Sequence, residues 1–252
     1  MNKEHYPDVA DMIFRNTYVD DILKSVDTFI EALELIRNTE HVLSLGGFKV
    51  KHWIISGKVE KNEVQLLDTN EEKILGLMWN PKEDKFLYTV GVIFSKKYRK
   101  VRTGPDMTKI DIEENFPAIL SRRMILSQTA SIYDPLGLVI PFTLKAKILM
   151  RDMVMQEVND EGGSFDWDEP LPETYVLKWK SFFCELYELQ SLTFSRCLCP
   201  SGVVGKPVLV MFSDGSKNAY GTCAYISWEL ECGKYECRLL IAKNRIAPKR
   251  QL

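Results

Sequence analysis

The stretch that most constrains the fold of this 252-residue chain is Tyr18-Val19-Asp20-Asp21, set between Thr17 and the apolar pair Ile22-Leu23. Asp disfavours strand interiors and favours turns, so the pattern reads as a β-hairpin with both acids at its tip. Adjacent carboxylates repel unless a proton or a cation lies between them. Mg²⁺ meets that need, because it takes oxygen ligands and keeps coordination positions for substrate phosphates. Two such ions, about 3.5–4 Å apart, are the usual device for in-line phosphoryl transfer. The Asp-Asp dipeptide also reads as an ordinary solvated turn, and its surroundings have to decide between the two.

The composition, 45% hydrophobic and 27% charged, is that of a globular chain able to bury a core. The net charge is −2 and the pI about 6.0, so any nucleic-acid contact must rest on local basic patches. The six cysteines (184, 197, 199, 223, 232 and 237) lack paired C-x-x-C spacing, and the three histidines lie far from them. That pattern argues against structural zinc. Residues 1–11 are polar and mixed in charge, unlike a secretory leader, which points to an intracellular, cytoplasmic chain with reduced thiols. No apolar run reaches the roughly 18 residues of a membrane span. The longest, residues 136–150, is broken by Pro141, Lys145 and Lys147.

Taken in order, residues 5–15 read as a helical approach to the hairpin. Ser25 or Asp27 is positioned to cap a following helix, which Gly46-Gly47 ends. Residues 48–56 alternate as a strand. Residues 73–79 form an apolar strand with an internal Gly, turning at 80–84 into a second strand at 86–90. Residues 95–117 read as a charged, irregular linker, whose run Lys96-Lys97-Tyr98-Arg99 could meet phosphates. Residues 118–133 then form a helix, stopped by Asp134-Pro135, and residues 141–158 a second one. A Pro-rich turn opens a third helix, with Leu177, Phe182, Leu186 and Leu189 on its buried face. Asp166 and Asp168 ahead of it read as complements of the helix dipole. Pro200, Gly202 and Gly205 mark a linker. Val208 to Phe212 reads as a strand buried on both faces, ending at Asp214-Gly215, and two further strands follow.

Several of these features resemble known families. The Tyr-Val-Asp-Asp turn, with the helix and strand after it, resembles the catalytic hairpin of reverse transcriptases. The Leu75-Gly76 hairpin ending at Trp79 resembles their primer grip, and the strand closing on Asp214 resembles the opening of a ribonuclease H fold. Together with Ser121-Arg122-Arg123, Tyr133-Asp134-Pro135-Leu136-Gly137-Leu138 and Trp167-Asp168-Glu169-Pro170-Leu171-Pro172, the chain looks like part of the Pol polyprotein of BEL/Pao-class LTR retrotransposons.

The resemblance implies an α+β chain. Residues 1–93 would be the C-terminal part of a reverse-transcriptase palm, 94–196 a helical thumb and connection, and 207–252 a truncated ribonuclease-H-like β-sheet. It implies Mg²⁺ at Asp20, Asp21 and Asp214 as catalytic carboxylates. Tyr18, Leu75, Gly76, Trp79, Lys96, Lys97 and Arg99 would contact an RNA/DNA template-primer, and the remainder of Pol would be a partner. A palm uses a further carboxylate from an earlier strand, and a ribonuclease H uses others expected past Leu252. Polymerase or nuclease turnover by this chain alone is therefore not expected. The alternative is a non-catalytic nucleic-acid-binding protein derived from such an element. Three ribonuclease-H-like strands without covering helices would expose an apolar face and sheet edges. The region is often labelled a Pao retrotransposon peptidase. However, Asp68-Thr69-Asn70 lacks the Gly of an aspartic-peptidase loop, and Asp214-Gly215-Ser216 has the wrong order, so proteolysis is not expected.

Overall fold

The computed structural model describes residues 2–57, 66–94, 97–98, 101–102, 106–161 and 166–248, with side chains for 4–57, 66–94, 106–155 and 166–248. Helices and antiparallel strands mix along the chain, which makes the fold α+β. It divides into two compact units, Met1–Phe86 and Leu87–Leu252.

The first unit opens with helices α1 (Asn2–His5) and α2 (Pro7–Arg15), followed by a two-stranded hairpin of β1 (Thr17–Tyr18) and β2 (Asp21–Ile22). Helix α3 (Phe29–Leu45) starts at Thr28 rather than at Ser25 or Asp27. Thr28 Oγ1 accepts from the Glu31 amide, and the Glu31 carboxylate accepts from the Thr28 amide, closing a capping box. Gly47, at φ +78°, takes the left-handed position after the helix. The strand expected over residues 48–56 does not form. Among the described residues, only Trp53 makes a ladder contact there, a bridge to Leu66, and Phe48 is exposed. Alternation alone cannot hold a strand whose backbone groups find no partner ladder.

The apolar run at 73–79 also differs from expectation. It is two strands, β3 (Glu72–Ile74) and β4 (Leu77–Asn80), folded sharply on each other, with Ile74 opposite Leu77. Leu75 (φ 48°) and Gly76 (φ 87°) are both left-handed, as a two-residue hairpin turn requires. The Gly therefore serves the turn rather than a strand interior. β5 (Lys85–Leu87) adjoins β4 in the same sheet.

In the second unit, β6 (Lys97–Tyr98) pairs with β7 (Val101–Arg102). The expected linker then contains a helix, α4 (Lys109–Asn115), because Thr108 and Asp111 form a capping box. The Thr108 amide and hydroxyl both donate to the Asp111 carboxylate, holding its carboxyl below the usual range. Helix α5 (Arg122–Thr129) is shorter than the sequence suggests, with Ser121 as its cap. The preceding residues are taken by another partner: Leu120 carbonyl accepts from the Leu171 amide, and Ser121 bridges to Pro170.

Helix α6 (Ile140–Glu161) follows, with Pro141 in its first turn, where a missing N–H costs nothing. Asp134 precedes it, accepting from the amides of Leu138 (2.8 Å) and Val139 (3.0 Å). Helix α7 (Glu173–Leu186) begins after Pro172. Its buried face is centred on Tyr175, Trp179, Phe182, Phe183 and Leu186, while Leu177, expected inside, is exposed. Trp179, Phe182 and Phe183 are fully buried among one another and Phe94, Phe116 and Phe142. This aromatic cluster, with Ile112, Ile125 and Met153, is the core of the unit.

Asp168 does not serve as a dipole complement for α7. Its carboxylate makes a bidentate pair with Arg123 (2.8 and 3.1 Å), and the Arg123 hydrogen bonds depress its pKa. Arg122, buried beside it, donates to the Asp166 carbonyl. The two quoted motifs, Ser121-Arg122-Arg123 and Trp167 to Pro172, are therefore partners in one contact.

After β8 (Thr193–Ser195) come three long strands, β9 (Val203–Gly215), β10 (Ala219–Leu230) and β11 (Tyr235–Ile246), in the sheet order β11-β10-β9. β9 is not buried on both faces: Val208, Leu209, Met211 and Phe212 are exposed, because β9 is an edge with no covering layer among the described residues.

Candidate functional site

Asp214 stands one residue before the end of β9, where the strand turns through Ser216 into β10. Register fixes its surroundings. Asp214 lies opposite Gly221, which lies opposite Asn244, so the three share one row and one face of the sheet. The next row on that face is Phe212, Cys223 and Ala242. Against it stand Gly137, Ile140, Pro141 and Leu144, enclosing an open groove of about 650 Å³ with Asp214 in its lining. Gly221 leaves the floor between Asp214 and Asn244 bare.

The turn Asp134-Pro135-Leu136-Gly137 seals one side of this groove. The Ala242 amide donates to the Leu136 carbonyl at 2.8 Å. A Cβ at Gly137 would lie 2.2 Å from the Ala242 carbonyl oxygen, and its φ is +81°. Only Gly fits both the conformation and the approach. Tyr88 reinforces the turn by donating to the Tyr133 carbonyl at 3.1 Å. Burial, then the nearby Asp134 carboxylate, pushes its phenol well above the ordinary value.

The other predicted carboxylates lie in the first unit. The β1–β2 hairpin tip does not carry both acids as expected: Val19 and Asp20 form the two-residue loop, and Asp21 opens β2 opposite Tyr18. All four residues of the turn are exposed. Val19 holds φ 57°, a costly conformation for a β-branched residue. Backbone strain of that kind concentrates at functional sites. Leu75 and Gly76 form the exposed tip of the β3–β4 hairpin. Trp79, expected to contact the template-primer, is instead buried at the base of that hairpin, its indole N–H donating to Asp84 Oδ1 at 3.0 Å. Lys96 and Arg99 lie outside the described residues, and Lys97 is described only as backbone in β6. Among the described residues, no three His, Cys, Asp or Glu side chains cluster as a metal site.

A family model described as "Pao retrotransposon-like RNaseH-like domain" matches residues 121–252, just over half of the chain. The chain belongs to this Pao family. The match begins at the Ser121 cap of α5 and takes in the Asp134–Gly137 turn, the Trp167–Pro172 turn and the whole three-stranded sheet with Asp214. The Pao match therefore covers the helices together with the sheet, the same set of elements that the Gly137–Ala242 contact joins. It does not extend to Tyr18-Val19-Asp20-Asp21 or to the β3–β4 hairpin. No curated protein and no solved structure matches the chain.

One feature of this groove escapes a linear reading, and another does not. Asn244 enters it only through the register of β11 on β10 and carries no motif of its own. Gly221, a Gly inside an alternating strand, is a signal for close approach that the sequence does offer.

Proposed function

We propose that the chain is a segment of a retrotransposon Pol polyprotein. Residues 1–93 would carry part of an RNA-directed DNA polymerase, 94–196 its thumb and connection, and 207–252 the first strands of a ribonuclease H. The observation carrying this reading is Asp214, which closes a strand at an open groove inside the Pao-matched region. The hard oxygen donors of Asp214, and of Asp20 with Asp21, suit Mg²⁺. Bound there, Mg²⁺ would neutralise charge developing on a phosphoryl group and lower the pKa of its attacking water. Asp20 and Asp21 would hold it at the polymerase turn, with Tyr18 stacking beside the primer end. Leu75 and Gly76 would meet the primer, with Trp79 supporting them from inside the hairpin. Lys96, Lys97 and Arg99 would contact phosphates. The substrate class is an RNA/DNA template-primer.

Two-metal catalysis uses several fixed carboxylates, and among the described residues neither site gathers three acidic groups. The chain by itself is therefore expected to bind duplexes without turning them over. The test is binding of a labelled RNA/DNA hybrid at low and high salt, together with primer extension in Mg²⁺. Salt-sensitive binding without extension is the expected result. Template-dependent extension by the 252-residue chain would refute the inactivity, and absence of binding at low salt would refute the nucleic-acid reading.

A further inference from the structure

We propose that Lys147 of α6 is a phosphate-contacting residue at the Asp214 groove, so that the helical region and the sheet jointly receive a nucleic-acid backbone. The proposal rests on reading Asp214 as a nuclease carboxylate. Lys147 Nζ donates to Asn244 Oδ1 at 3.0 Å, and Asn244 Nδ2 donates to the Ile140 carbonyl at 3.3 Å. The amide is thus clamped between helix and sheet, and it holds the ammonium at the row that contains Asp214 and Gly221.

The other cations of α6 are engaged differently. Lys145 is paired with Glu185. Arg151 is tied to Asp152 and to the carbonyl and side chain of Asn218, with only 9% of its side chain exposed. It anchors the β9–β10 turn. Lys147 is exposed, and its partner is a neutral amide that leaves its charge available. Asp214 and Asn244 stand two strands apart, roughly 10 Å. Each strand of a duplex carries one phosphate per about 3.4 Å of axis, so a backbone lying along the groove brings phosphates to both ends. One end would be met through a metal at the carboxylate and the other directly by the ammonium.

The test measures binding of a short RNA/DNA hybrid by fluorescence anisotropy across a salt series, for wild type, Lys147→Gln, Lys147→Arg and Lys206→Gln. Lys147→Gln is expected to weaken binding and make the salt slope shallower by about one. Lys147→Arg should keep the slope, and so should Lys206→Gln, an exposed lysine at the far end of β9. A hybrid bound by wild type with the same slope in Lys147→Gln overturns this inference alone. An equal loss in Lys206→Gln also overturns it, since the effect would then be diffuse charge. No binding by wild type overturns it together with the reading of the groove.

Discussion

The two edges of the three-stranded sheet have opposite fates. At the β11 edge, the Ala242 amide and carbonyl both meet the Asp134–Gly137 turn, and α6 packs alongside. At the β9 edge, ten of the thirteen residues pair with β10 and, among the described residues, with no other strand, and Val208, Leu209, Met211 and Phe212 stand 58–64% exposed. The turn at the first edge lies within the Pao-matched region, and its structural duty is to close that edge against the helices. The open edge has no such cover among the described residues. A long apolar edge strand is a template for pairing with another chain. Lys206, Pro207 and Asp214 flank its apolar run and act as local breaks on that tendency.

The largest effect is expected at the closed edge. Gly137→Val would put a side chain into the Ala242 carbonyl at a left-handed backbone position. It should lower the unfolding free energy by at least about 3 kcal/mol, as a steric clash and backbone strain combine. Urea denaturation measures this directly. A variant within about 0.5 kcal/mol of wild type would mean that the turn does not hold the sheet.

At the open edge the expected signature is solubility rather than stability. Met211→Lys changes an exposed residue and should leave the urea midpoint nearly unchanged, within about 0.5 kcal/mol. It should reduce self-association in light scattering over a concentration series. A large loss of stability would show that this face is covered after all and would erase the contrast between the edges.

The smallest effect concerns the Arg123–Asp168 pair, which ties the α5 start to the Trp167–Pro172 turn. The Arg123 hydrogen bonds hold the Asp168 pKa below its unfolded value. The pair's contribution is therefore complete above that unfolded value, about 3.9, and is lost as pH falls through the folded pKa. Arg123→Ala should separate from wild type in urea midpoint at neutral pH, with the gap closing below about pH 4. Both side chains are more than 60% exposed, so the gap will be small. A gap that persists unchanged at low pH would assign the effect to packing by the arginine stem.

Much of this is legible from the chain alone, and the failures share a cause. The Asp-Asp hairpin, the stop at Asp134-Pro135, the long helix after it and the three C-terminal strands follow from turn chemistry and periodicity. So does the position of Asp214 at a strand end. The misreadings arise where a distant partner decides. Residues 118–120 look helical, but the Leu120 carbonyl is claimed by the amide of Leu171, some fifty positions away. Residues 48–56 alternate like a strand but, among the described residues, find no ladder beyond the Trp53–Leu66 bridge. β9 reads as a doubly buried strand from its composition, and composition does not state which neighbours are present.

The part legible in the chain alone is local: where the chain turns, caps and stops, and which carboxylates sit at strand ends. These depend on residues within about four positions of each other. Tertiary structure decided which of those pieces meet. The pairing of Ser121-Arg122-Arg123 with the Trp167–Pro172 turn joins segments more than forty residues apart. The fit of Gly137 against Ala242, and the row of Asp214, Gly221 and Asn244, depend on strand register and on close approach of backbones. Register is set by the packing of a whole face at once, so no short stretch of sequence contains it.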